Sequence, residues 1–154
     1  MTDVPALRFA FEIHVDLAPT LHIGHGTGER TEFTPITGGK VTGPLLNGAV
    51  LPGGGDWSST RGTVCELDAR YLLQADDGAV IDIANRGYYH EDDPTAPAQQ
   101  DGPLKTSAPG VYYRTSPVFR TDAAPHLWLT RMVFVGLARD AGPHAIAIRM
   151  YALL

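Results

Sequence analysis

One cysteine, Cys65, stands in the 154-residue chain, so no internal disulfide can form. It lies in a strand-like run and reads as a small buried hydrophobe rather than a nucleophile. Positive charge is also scarce. Twelve Lys and Arg against seventeen Asp and Glu give a net charge of −5. The basic residues are scattered without a run, which excludes the basic stripe a nucleic-acid binder needs. No apolar stretch approaches the roughly 18 residues of a membrane-crossing helix. The opening MTDVPALRF has no basic segment leading into an apolar one, so no signal peptide is expected and a cytoplasmic location is the default. Helical periodicity is missing too, since no stretch of about ten residues shows a 3.6-residue repeat bounded by caps. GPLLNG is not followed by a helix or by Lys-Ser/Thr, so it is no phosphate loop, and no Gly-x-Ser-x-Gly elbow occurs.

What is present is alternation. In Leu7–Leu17, Leu7, Phe9, Phe11, Ile13, Val15 and Leu17 alternate with Arg8, Ala10, Glu12, His14 and Asp16, the period of a half-buried strand. Residues 18–30 predict a short strand or loop and glycine turns, and Glu32–Ile36 a short strand closed by Thr37-Gly38-Gly39. Thr63–Leu73 alternates again, with Cys65, Leu67, Ala69, Tyr71 and Leu73 opposite Val64, Glu66, Asp68, Arg70 and Leu72. Asp76-Asp77-Gly78 supplies hairpin-turn chemistry, and Ala79–Arg86 returns as the partner strand. Residues 88–110 are polar and rich in proline, acid and alanine, and predict a long loop, either a lid or a surface excursion. Val111–Phe119, Leu127–Leu137 and Ala145–Leu153 complete the strands, the last two as a hairpin through Asp140–Pro143.

Eight to ten short strands in one 154-residue domain, with little helix, predict an all-β antiparallel fold. A closed barrel is preferred over a sandwich because closure removes exposed edges. A small barrel encloses side chains or one small ligand, so a small-molecule partner is expected and neither nucleic acid nor membrane. Two faces compete for the interior. One is aliphatic. The other carries Asp68 with Arg70, Asp82 with Arg86, Trp128 with Thr130, and Arg149 with Tyr151, and strand periodicity alone does not say which looks inward.

The glycine-rich stretch Val41–Trp57 centres the candidate site. Its triple glycine precedes Asp56-Trp57, placing a carboxylate and an indole at a rim, or else forming a plain hairpin connection. A part-buried Asp56 would have its charged form disfavoured and suit general acid/base work. Asn47 offers an amide to a carbonyl or enolate oxygen, or simply caps its turn. Arg70, Arg86, Arg114 and Arg131 offer cations to a carboxylate or oxyanion, or pair with neighbouring Asp68, Asp82 or Glu66. The reading takes Asp56, Asn47 and Arg70 as catalytic. It takes Trp57, Asp68, Tyr71, Asn85, Tyr113, Arg114, Trp128, Arg131 and Tyr151 as substrate-binding. His22 and His25 are three apart in a strand or turn context, which seats one metal ion poorly, so no metal and no other cofactor is expected. The functions in view are a cofactor-independent isomerase, cyclase or lyase on a carbonyl-containing aromatic or polyketide-like metabolite, and a non-catalytic carrier or sensor of a small hydrophobic ligand.

Asn47-Gly48 followed by LPGGGDW, then ELDARY (Glu66–Tyr71), DDGAVIDIANRG (Asp76–Gly87), YYRTSPVF (Tyr112–Phe119), Trp128-Leu129, Phe134–Gly136 and IRMY (Ile148–Tyr151) carry a resemblance. Together they resemble the family known as domain of unknown function 3237, or UPF0311, over roughly Leu7 to Leu153. The resemblance implies a calycin-like antiparallel barrel with a central cavity, often assembled as a homo-oligomer, and no established reaction. Thr130 precedes Arg131 where family members commonly carry Asn, so any role of that Asn does not transfer.

Overall fold

The first strand, β1 (Leu7–Leu17), has the predicted bounds, and its odd positions Phe11, Ile13 and Val15 are buried. This computed structural model describes residues 3–91 and 110–154. After β1 come β2 (Leu21–His25), β3 (Arg30–Thr42), β4 (Gly48–Val50), β5 (Gly55–Arg61), β6 (Val64–Ala75) and β7 (Val80–Glu91). Then follow β8 (Val111–Arg120), a 3-10 helix (Ala124–Thr130), β9 (Phe134–Asp140) and β10 (Ala145–Leu153).

All pairings are antiparallel, in the order β1-β10-β9-β8-β7-β6-β4-β3, and β1 also pairs with β3. That last ladder closes the sheet into an eight-stranded barrel. Two positions in the ring are each filled by a broken pair of strands. β3 meets β2 and β5 along its first half, then β1 and β4 along its second. Closure pairs most strands on both sides; between β8 and β9 the described ladder is short, Arg114 and Thr115 against Leu137 and Gly136.

Side-chain alternation sets the inside. On β6, Tyr71, Leu73 and Ala75 are buried while Arg70, Leu72 and Gln74 are exposed. On β7, Ile81, Ile83 and Asn85 are buried. One end of the barrel is filled by rings: Phe119 lies edge-on to Phe11 and Phe134, and Trp128 tilts against Phe134. The buried Leu129 of the 3-10 helix completes this plug.

Three boundaries differ from the sequence reading. β3 continues through Gly38 and Gly39 to Thr42 rather than closing there, because β1 and β4 supply ladder partners on both sides. β7 runs on through Tyr88–Glu91, four residues into the segment read as a loop, since Val111–Arg114 pair with it. The lid reading of the rest, 92–109, lies outside the described residues. Leu127–Thr130 is 3-10 helix rather than strand; Pro125 occupies its first turn and Thr130 Oγ1 donates to the Leu127 carbonyl at 2.8 Å.

Candidate functional site

Glycine chemistry sets the position of Asp56. Gly53 has φ +112°, a backbone conformation that side chains resist, and the chain turns there into β5. A Cβ on Gly55 would lie 2.1 Å from the Phe33 ring, so glycine lets that ring close over the strand. Trp57 then packs tilted against Phe33 from outside, 4.5 Å between centroids, and stays half exposed. Alternation sends the adjacent Asp56 inward, opposite Thr34 and Ala69.

Asp56 lies in a cavity of about 80 Å³ at the end of the barrel opposite the aromatic plug. Its aliphatic wall includes Val15, Ile36, Leu67 and Ile148, and its polar arc is Thr34, Tyr71, Asn85, Tyr113 and Thr115. No Lys, Arg or His stands among the described lining residues. Asp56 Oδ1 accepts a hydrogen bond from the Asp68 backbone N–H at 2.8 Å. Burial pushes the Asp56 carboxyl up to about 6, against that hydrogen bond and with a smaller contribution from the Asp68 charge. Burial, then the Asp56 charge, also drives the Tyr71 and Tyr113 phenols upward, so both remain protonated donors at neutral pH. Among the described residues, the Tyr71 hydroxyl, Asn85 Oδ1 and Thr115 Oγ1 are buried without a partner in hydrogen-bond geometry, although the Asn85 side chain lies near enough to Tyr71 to offset part of its rise. Three orphaned polar atoms around one cavity are uncommon in an interior, where such groups are nearly always paired.

Of the residues singled out from the sequence, Asp56, Tyr71, Asn85 and Tyr113 come together here. The others do not. Asn47 is exposed in its turn, its amide bonded both ways to the Gly43 backbone. The register puts Gly48 opposite Ala75 and Asp56 opposite Ala69, so Asn47 lies about 20 Å along the barrel from Asp56. Arg70 points outward and pairs with Asp82 at 2.9 Å, and Arg86 reaches Asp68 at 3.4 Å. The charged face is therefore the outer one, and the catalytic reading of Arg70 and Asn47 is corrected. Only the Asp68 backbone touches Asp56; its side chain looks out. Arg114 is also outside, its guanidinium 5.6 Å from the Tyr112 ring centroid. Trp128 belongs to the plug, Arg131 is exposed beyond the 3-10 helix, and Tyr151 packs outside on Phe9. Thr34 and Thr115 were missed. The sequence carries no mark of them, since only the strand register, Thr34 opposite Asp56 and Thr115 opposite Gly87, brings them to the cavity.

His22 pairs with Glu32 at 2.9 Å on the exposed β2, and no group of three or more His, Cys, Asp or Glu among the described residues is placed for a metal ion. Among those residues no helix is long and apolar enough to cross a membrane. Replacing Arg70 by Met is expected to cost under about 1 kcal/mol in urea unfolding, as exposed ion pairs do. A larger loss would assign Arg70 a structural role its exposed position denies.

Fold and cavity together define a class: a small antiparallel barrel with a carboxylate in its lumen. The chain belongs to the family described as protein of unknown function (DUF3237), which matches residues 5–153. It is 36% identical over 125 residues to a UPF0311 protein of Clostridium acetobutylicum, covering 80% of this chain and 78% of that one. It is 34% identical over 144 residues to one from Rhodopseudomonas palustris, covering 90% of each. A shorter match, 34% over 79 residues and 50% of this chain against 52% of the other, is to a hydroalkoxylation enzyme of Penicillium herquei. Among solved structures, the Rhodopseudomonas palustris protein superposes with TM-score 0.85 at 28% identity, over 99% of this chain and 100% of that one. A beta-barrel like protein of Acinetobacter baumannii gives 0.83 at 30% identity over the whole of both chains. An enzyme from Penicillium herquei shares the fold at TM-score 0.74 and 20% identity, over 100% of this chain and 98% of that one.

Proposed function

We propose that this barrel is a cofactor-independent enzyme that isomerises, cyclises or eliminates on a small carbonyl-containing metabolite by acid/base chemistry. The observation that carries the reading is Asp56: a carboxylate raised to about 6, inside a cavity of about 80 Å³ that also holds the Tyr71 and Tyr113 phenols. A base with pKa near ambient pH is largely ionised yet strong enough to take a proton from carbon beside a carbonyl. Tyr71 and Tyr113 hydroxyls, with the Asn85 amide, would stabilise the oxygen of the resulting enolate, in place of Asn47 and Arg70. The proton then returns from Asp56 to another atom of the substrate, so the residues at hand complete the cycle. The relative named as a hydroalkoxylation enzyme supports this reading. Adding an alcohol O–H across a carbon–carbon double bond likewise needs one group to take a proton and one to give it.

The test needs no knowledge of the natural reaction. The protein in deuterated buffer is mixed with small cyclic ketones, and exchange at the carbons beside the carbonyl is followed by NMR. Exchange above the buffer rate, rising as pH passes through about 6 and level above it, is expected. Exchange no faster than buffer across the series would overturn the enzymatic reading and leave a carrier.

A further inference from the structure

The cavity's electrostatics name the kind of ligand it selects. Its described lining holds one carboxylate and no cation, so a second anion entering beside Asp56 would find repulsion and nothing to offset it. The lining is not simply greasy either. Tyr71, Asn85 and Thr115 are each at most 5% exposed, and each carries a polar atom without a hydrogen-bond partner among the described residues. A hydroxyl can donate to one of these groups and accept from another, whereas a hydrocarbon leaves all of them unsatisfied. At about 80 Å³ the cavity takes a head group of a few heavy atoms, with the rest of the ligand toward the open side; an engineered apolar cavity that encloses benzene is about 150 Å³.

We propose that the lumen selects an uncharged ligand that inserts a hydroxyl-bearing head group among Tyr71, Asn85 and Thr115, and rejects carboxylates. The inference rests on the cavity being the functional site but not on Asp56 performing proton transfer. It reverses the expectation that arginines clamp an acidic substrate, since Arg70, Arg86 and Arg114 are outside the barrel. Thr115 and Asn85 become specificity-determining residues: a site built to hydrogen-bond a hydroxyl discriminates strongly against the analogue lacking it.

Three probes of similar shape separate the contributions: benzyl alcohol, benzoate and toluene, titrated into the 154-residue protein at pH 8 by ligand-observed NMR. Benzyl alcohol is expected to bind at least tenfold more tightly than toluene, and benzoate to bind most weakly. Thr115→Val keeps the shape of the side chain and removes its hydroxyl, so it should narrow the alcohol-over-toluene ratio by threefold or more. Asn85→Leu is the second variant, expected to act in the same direction if Thr115→Val fails to fold. Asp56→Asn should improve benzoate binding relative to benzyl alcohol. Benzoate within threefold of benzyl alcohol overturns the proposal, as do toluene binding as tightly as the alcohol and no binding by any probe. The expected order together with no ketone exchange would keep the selectivity and discard the enzyme. The reverse pattern would keep the enzyme and discard the selectivity.

Discussion

Asp56→Asn is expected to lower ketone exchange by about 10² to 10⁴-fold and, at pH 8, to make the protein more stable. The two effects have one cause. The amide cannot take up a proton at any accessible pH, so the acid/base step loses its base. Its carbonyl oxygen can still accept the Asp68 N–H that Asp56 Oδ1 now accepts at 2.8 Å, so the loop geometry is kept. Stability moves the other way because burial raises the Asp56 carboxyl from 3.8 to about 6. A carboxyl raised on folding contributes stability that is fully present below 3.8 and is lost as pH rises through about 6. Above that, the folded protein carries a buried charge costing on the order of 2 kcal/mol, which the amide avoids. For a chain of this size that corresponds to a melting temperature higher by about 4–8 °C at pH 8, with little difference at pH 4. Calorimetry at the two pH values, beside the exchange assay, checks both halves. A variant that exchanges normally, or melts lower at pH 8 than the parent, would remove Asp56 from the centre of the site.

The burial of Asp56 behind this expectation is half visible in the sequence. Period-two alternation identified β1 and β10 with their structural bounds, because each strand has one face on a packed interior and one on water. The same alternation could not say which face of a closed barrel is inside. Glu66, Asp68 and Arg70 share one face of β6, and only the barrel's curvature settles that they look out while Tyr71 looks in. The 3-10 segment was illegible for a related reason. Leu127, Trp128 and Leu129 are as apolar as a strand, and what decides against one is the absence of a ladder partner beside them. Asp56 was legible because three glycines announce tight packing at Gly55 and a turn at Gly53. Thr115 was not, because a threonine in YYRTSPVF looks like an ordinary strand residue until its hydroxyl proves to have no partner.

The largest purely structural effect is expected at the other end, where Phe134→Ala should destabilise the protein by about 3–5 kcal/mol. Phe134 is 1% exposed and lies between two rings, edge-on to Phe119 at 5.1 Å and tilted to Trp128 at 5.8 Å. Removing it deletes a large buried surface and opens a void that close-packed neighbours cannot fully collapse to fill while β9 is held along its length by β10. It also releases Trp128, which with the buried Leu129 seats the plug helix; His126 adds a polar hold, its Nε2 lying 2.7 Å from Asp77 Oδ2 in the β6–β7 turn. Exposed on one side, that polar contact is worth far less than the ring packing. The loss is a large fraction of the 5–15 kcal/mol that usually holds a domain together, and the melting temperature should fall by about 6–20 °C. Phe134→Leu should recover at least half of it, because leucine refills most of the space without a polar atom. His126→Ala should cost less than either. If the histidine variant proved the more damaging, the plug would be held by its hydrogen bond to the turn, and the aromatic cluster would be filling rather than fastening this end of the barrel.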